Sequence, residues 1–172
     1  MNATDKLRTV VVDDEGLARE ELCYLLGQVG GVEVVGQAGN GVDALKVIEQ
    51  NSPDLVMLDI QMPGLTGFEV ARRLIDGGLD CQLVFVTAFD RHAIEAFEAG
   101  GVDYVLKPIA ASRLVTTIER LRGRLGQAPA DLQRVLQQFA HGQGPASQRH
   151  LQWISASSGS TVQLITVAEV LY

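Results

Sequence analysis

The stretch LVMLDIQMPG occupies residues 55–64. Four apolar residues run without interruption into Asp59, and a Pro-Gly pair follows at 63–64. An apolar run this short, with no polar alternation and turn residues beside it, predicts a strand buried on both faces, as in a parallel sheet covered by helices. The carboxylate then stands where the strand leaves the core. The same pattern occurs in VVVDDE, residues 10–15, where Asp13 and Asp14 end another apolar run.

Outward from these two segments, strands are predicted over 7–12, 32–35, 55–58, 83–86 and 102–106, and helices over 15–26, 42–48, 68–75, 93–99 and 114–125. In the first helix Leu17, Ala18, Leu22, Leu25 and Leu26 form a stripe at helical spacing. GQAGNG at 36–41 reads as turn chemistry, since its glycine spacing does not fit a dinucleotide-binding loop. Strand and helix alternate five times, which predicts an α/β fold: a doubly wound, five-stranded parallel sheet with helices on both faces. Such a sheet places its site at the carboxyl ends of the strands, near a switch in strand order.

Composition narrows the function. The chain has 172 residues, of which 47% are hydrophobic, as expected of a globular protein. No apolar run approaches the roughly 20 residues of a membrane span, and MNATDKLR at the start lacks the apolar region of a secretion signal. A cytoplasmic protein with no membrane partner is expected, and Cys23 and Cys81 are expected to be reduced, partly buried thiols. Residues 1–126 hold 12 Lys+Arg and 19 Asp+Glu, whereas residues 127–172 hold two of each. Neither part has the basic surplus of a nucleic-acid-binding surface.

In a doubly wound sheet the ends of the first and third strands can lie side by side, which would bring Asp13, Asp14 and Asp59 together. One carboxylate at such a place could be a helix cap. Three converging carboxylates repel one another unless a cation or proton intervenes. A hard divalent ion such as Mg²⁺ suits them, and it commonly sits beside phosphates. His92, His141 and His150 are scattered, so nothing points to zinc. The fourth strand ends at Thr87 and the fifth at Lys107, adding a hydroxyl and an ammonium to the same rim. Acids, a metal, a hydroxyl and an ammonium make a site for a phosphoryl group, and a carboxylate oxygen can carry it as an aspartyl phosphate.

These residues resemble the receiver domain of two-component response regulators (CheY-like) over about residues 7–125. The resemblance rests on the acidic pair Asp13-Asp14, DLVMLDIQMPGLTG around Asp59, Thr87 in VTA, Tyr104, and Lys107-Pro108, all in order. It implies a flavodoxin-like strand order of 2-1-3-4-5 and phosphorylation of Asp59 by a sensor histidine kinase. Asp13, Asp14 and Asp59 would hold Mg²⁺, with the backbone carbonyl of Gln61 as a further ligand. Lys107 would contact the phosphoryl group. Thr87 would swing inward to it, Tyr104 would follow as the second half of the switch, and the Lys107-Pro108 bond would be cis. The face over residues 91–124 is one through which such domains form homodimers.

An aspartyl-phosphate phosphatase or phosphotransferase is the competing reading. Such enzymes place a second acid two residues after the nucleophile, where this chain has Gln61. The expectation is therefore a regulator that catalyses only its own phosphorylation and slow dephosphorylation.

Beyond the receiver, Leu132, Val135, Leu136 and Phe139 mark an amphipathic helix over 130–140, followed by a linker at 141–148. LQWISAS and TVQLITVAEVLY, on either side of an SGS turn, predict two short strands. This last segment, with DDEGLAREEL near the start, resembles regulators that carry a LytTR-type DNA-binding domain. The expected plan is a receiver at 1–126, a helix and linker at 127–150, and the start of an incomplete LytTR-type domain at 151–172. DNA would be bound only through the missing part of that domain. A stand-alone receiver working through protein contacts is the alternative output.

Overall fold

The structure, a computed structural model, describes residues 6–78, 80–88, 102–125, 132–140, 153–158 and 161–166. The helix expected at 93–99 and the linker at 141–148 lie outside the described residues. Five strands, β1 (Leu7–Val12), β2 (Val32–Ala38), β3 (Leu55–Asp59), β4 (Gln82–Thr87) and β5 (Asp103–Leu106), pair in parallel in the order β2-β1-β3-β4-β5. This is the flavodoxin-like order implied by the resemblance. The helices are α1 (Gly16–Val29), α2 (Gly41–Asn51), α3 (Gly67–Asp76), α4 (Ala111–Gly123) and α5 (Leu132–Ala140).

The unbroken apolar pattern of β3 has a simple cause. Val56 and Leu58 enter one core cluster, with Ala44 and Ile48 of α2, Val70 and Leu74 of α3, and Phe85. Leu55 and Met57 enter the other, with Leu22 and Leu26 of α1, Val105, and Leu114 and Ile118 of α4. Residues 55–58 are all completely buried. With no solvent face to satisfy, the strand needs no polar residue until Asp59.

β2 is longer than predicted. Gly36, Gln37 and Ala38 pair with Val10, Val11 and Val12 after a register shift at Thr9/Val10, so half of GQAGNG is strand. The ladder continues because β1 is still available as a partner. Only the end of that motif turns, and there Asn40 caps α2, its side chain accepting from the Asp43 N–H at 2.8 Å. α3 is also capped: Thr66 and Glu69 form a reciprocal capping box.

α5 packs back on the receiver. Val135 and Leu136 are buried and join the cluster beneath α2 and α3. Leu136→Ala should therefore cost about 2–4 kcal/mol, as for other buried leucines. Denaturant unfolding measures this, and a loss under about 0.5 kcal/mol, the range of surface substitutions, would mean that the helix does not belong to this core. Further along, β6 (Trp153–Ser158) and β7 (Thr161–Thr166) form a separate antiparallel pair, matching the two strands predicted around SGS.

Candidate functional site

Because β1 and β3 are neighbours, their carboxyl ends lie side by side. Asp13 and Asp14 follow β1 and Asp59 ends β3, and each offers a carboxylate oxygen within 4.8 Å of the others. Asp13 and Asp59 are buried, at 2% and 5% exposure, whereas Asp14 is exposed. None of the three caps a helix. The N-cap of α1 is Glu15, with no side-chain cap bond, and α3 is capped by Thr66. Asp13 Oδ1 instead accepts from the Glu15 N–H at 2.9 Å, and Asp59 Oδ1 from the Gln61 N–H at 3.3 Å.

Lys107, just past β5, reaches across β4 to this cluster. Its Nζ lies 2.7 Å from Asp13 Oδ2 and 3.4 Å from Asp59 Oδ2. Burial alone would lower the ammonium's pKa, but the hydrogen bond to Asp13 and the charges of Asp59 and Asp13 outweigh it and hold it above its usual value. The Asp59 pKa is also raised, which for a carboxylate disfavours the charged form. Burial and, to a lesser degree, the charge of Asp13 raise its pKa, and Lys107 and the Gln61 N–H offset this only in part. The distances explain why an ion pair fails to depress it: Lys107 is chiefly the partner of Asp13.

Thr87 ends β4 and is fully buried, and its carbonyl accepts from the Lys107 backbone N–H at 2.9 Å. Tyr104 on β5 is half-buried, with the Arg113 guanidinium 5.1 Å from its ring centre. The Lys107-Pro108 bond is cis. Asp14, Glu15, Asp59, Gln61, Ala88 and Lys107 line an open pocket of about 470 Å³ above the cluster. The predicted site residues thus gather at one edge of the sheet, with Tyr104 on β5, three residues before Lys107.

The oxygen-only donors and their surplus of negative charge fit a hard divalent cation such as Mg²⁺. The arrangement can also present one carboxylate oxygen, that of Asp59, to an incoming electrophile beside an ammonium. Reasoning from spacing missed Arg19, whose Nη1 donates to the Asp13 carbonyl at 2.7 Å.

Comparison with known proteins agrees with this geometry. The family model for the response regulator receiver domain matches residues 9–119. An uncharacterized response regulatory protein of Vibrio cholerae is 42% identical over 167 residues, covering 95% of this chain and 64% of the relative. The transcriptional regulatory protein BtsR of Salmonella typhi is 36% identical over 166 residues, covering 96% and 64%. The chain therefore spans less than two thirds of the length of either relative. Among solved structures, the response regulatory domain of protein mrkE from Klebsiella pneumoniae superposes with a TM-score of 0.61 at 35% identity, covering 71% of this chain and all of that domain.

Proposed function

The chain belongs to the response regulator receiver domain family, and on that premise we propose that Asp59 is the phospho-acceptor of a two-component signalling protein. The observation that carries this is the meeting of three carboxylates and one ammonium at the end of β3. Mg²⁺ would be held by Asp13, Asp14 and Asp59 with the carbonyl of Gln61, and when bound it would neutralise charge on the phosphoryl oxygens. An Asp59 oxygen attacks phosphorus, the bond to the donor nitrogen of a sensor kinase histidine breaks, and that nitrogen leaves with the electron pair. Lys107 gives its charge to the phosphoryl oxygens as they arrive. The Thr87 hydroxyl moves toward the new group and Tyr104 repacks behind it, so one covalent event biases a two-state element. The protein passes its state on and does not turn over a substrate.

For the output we propose the plan of receiver, linker and LytTR-type DNA-binding domain, with the last beginning near residue 151. The β6–β7 pair supports it, as does the regulatory name of BtsR, a relative longer than this chain. Pairing of two copies through the 91–124 face and residence in the cytoplasm belong to the same proposal. Among the described residues no helix is long and apolar enough to cross a membrane.

Incubation with acetyl phosphate followed by intact-mass measurement tests the assignment. The expected result is one phosphate adduct in Mg²⁺, its disappearance in EDTA, and its mapping to the peptide containing Asp59. An adduct on any other peptide, or one indifferent to EDTA, would overturn the assignment.

A further inference from the structure

Asp13 and Asp14 are consecutive, and this poses a geometric problem. Along a strand, successive side chains point to opposite faces. For both carboxylates to offer an oxygen to one point, the backbone must leave the strand path between them. The hydrogen bonds show where it does so. The Asp13 N–H is still in register with β2, donating to the Ala38 carbonyl at 3.1 Å. The Asp13 carbonyl is taken instead by the guanidinium of Arg19, at 2.7 Å.

Arg19 lies in the first turns of α1, its own N–H donating to the Glu15 carbonyl at 3.0 Å. Its side chain is half-buried, and among the described residues it forms no ion pair. The guanidinium passes over Gly39, where a Cβ would stand 3.3 Å from Nη1. The turn after β2 thus leaves the room that the arginine occupies. α1 has neither a side-chain cap nor an acid in its first turn, so this contact and the Asp13 carboxylate on the Glu15 N–H are the side-chain ties between the helix start and the acidic loop.

We propose that Arg19 is a positioning residue for the metal-binding acids. By holding the Asp13 carbonyl it fixes the bend that turns Asp13 and Asp14 toward Asp59. The inference rests on the Mg²⁺ site proposed above. A charged donor on a backbone carbonyl is a strong, directional restraint. Groups that orient metal ligands from behind typically change metal affinity by about 10–100-fold when removed.

The test is Mg²⁺ titration of the unphosphorylated chain by calorimetry, for wild type, Arg19→Ala, Arg19→Lys and Gly39→Val. Melting temperatures in EDTA and phosphoryl uptake rates at saturating Mg²⁺ accompany it. Arg19→Ala should weaken Mg²⁺ binding about tenfold or more, with lysine restoring part of the loss. The uptake rate at saturating Mg²⁺ should stay near wild type. Gly39→Val keeps the charge but crowds the guanidinium, and it should weaken binding in the same direction. It serves as the test if the alanine variant does not fold. Wild-type Mg²⁺ affinity in a folded Arg19→Ala or Gly39→Val chain would overturn the role of Arg19 alone. So would a loss of affinity matched by an equal loss of metal-free stability. No Mg²⁺ binding by the wild type would overturn the site, and Arg19 with it.

Discussion

Asp59→Asn is expected to do two opposite things: lower phosphoryl uptake more than about a hundredfold, and raise the melting temperature of the metal-free protein. The first follows from chemistry, since an amide oxygen is a poor nucleophile toward phosphorus. The second follows from electrostatics. Burial and, less strongly, the Asp13 charge raise the Asp59 pKa from its ordinary value. A carboxylate raised on folding contributes stability below its unfolded pKa, near 4, and that contribution is lost as pH rises through the folded pKa. At pH values well above the unfolded pKa the carboxyl is therefore a cost to folding, which asparagine removes. Lys107 is not orphaned by the change, because its 2.7 Å partner is Asp13. In a chain of this size each 1 kcal/mol recovered moves the melting temperature by about 2–4 °C. Melting curves in EDTA should show the variant above wild type near neutral pH, with the gap closing below about pH 4. Mg²⁺ should then stabilise wild type more than the variant. A melting temperature that falls at neutral pH would show that Lys107 does stabilise the Asp59 carboxylate, contrary to the distances. Uptake at the wild-type level would remove Asp59 as the acceptor.

The part of this site that could be read from the sequence is the part set by strand ends. Residues 55–58 face apolar layers on both sides, so their pattern announces a buried strand and locates Asp59 at its exit. The same logic places Asp13, Thr87 and Lys107, since parallel strands end at one edge. The Thr66–Glu69 capping box went unread, although a threonine followed three residues later by a glutamate carries its signal. What could not be read is which oxygen a side chain chooses. Lys107 is closer to Asp13 than to Asp59, although Asp59 ends the strand next to β4. Arg19 carries no periodic signal at all: six residues after Asp13, it looks like one more charge on an amphipathic helix. Its role depends on the path of the loop between strand and helix, which backbone hydrogen bonds determine and residue spacing does not. The extension of β2 into GQAGNG was missed for a related reason, since glycine marks a turn locally while the neighbouring strand decides whether pairing continues.

Gly67→Ala should be the most damaging small substitution in the site's framework. Gly67 begins α3, and its N–H donates to the Ile60 carbonyl at 2.9 Å. A Cβ there would stand 2.2 Å from the Asp59 carbonyl oxygen, 2.8 Å from the Ile60 Cα and 3.0 Å from the Asp59 carbonyl carbon. All three are backbone atoms, so no rotamer change relieves the clash. Either α3 shifts away or the β3–α3 loop moves, and that loop starts at Asp59 and carries Gln61. Overpacking of this kind costs about 1–3 kcal/mol and at times more. Alanine's better helix propensity offsets less than about 1 kcal/mol of it. A net loss of about 2 kcal/mol, or roughly 4–8 °C in melting temperature, is expected. Phosphoryl uptake should fall as well, because the displaced carbonyl belongs to Asp59, the proposed acceptor. Gly27→Ala supplies the contrast. Gly27 is an exposed position inside α1 with nothing within 4 Å of its would-be Cβ, so the same change should stabilise by about 0.5–1 kcal/mol. If both variants melted above wild type, helix propensity alone would govern Gly67, and the close approach of α3 to the end of β3 would be refuted.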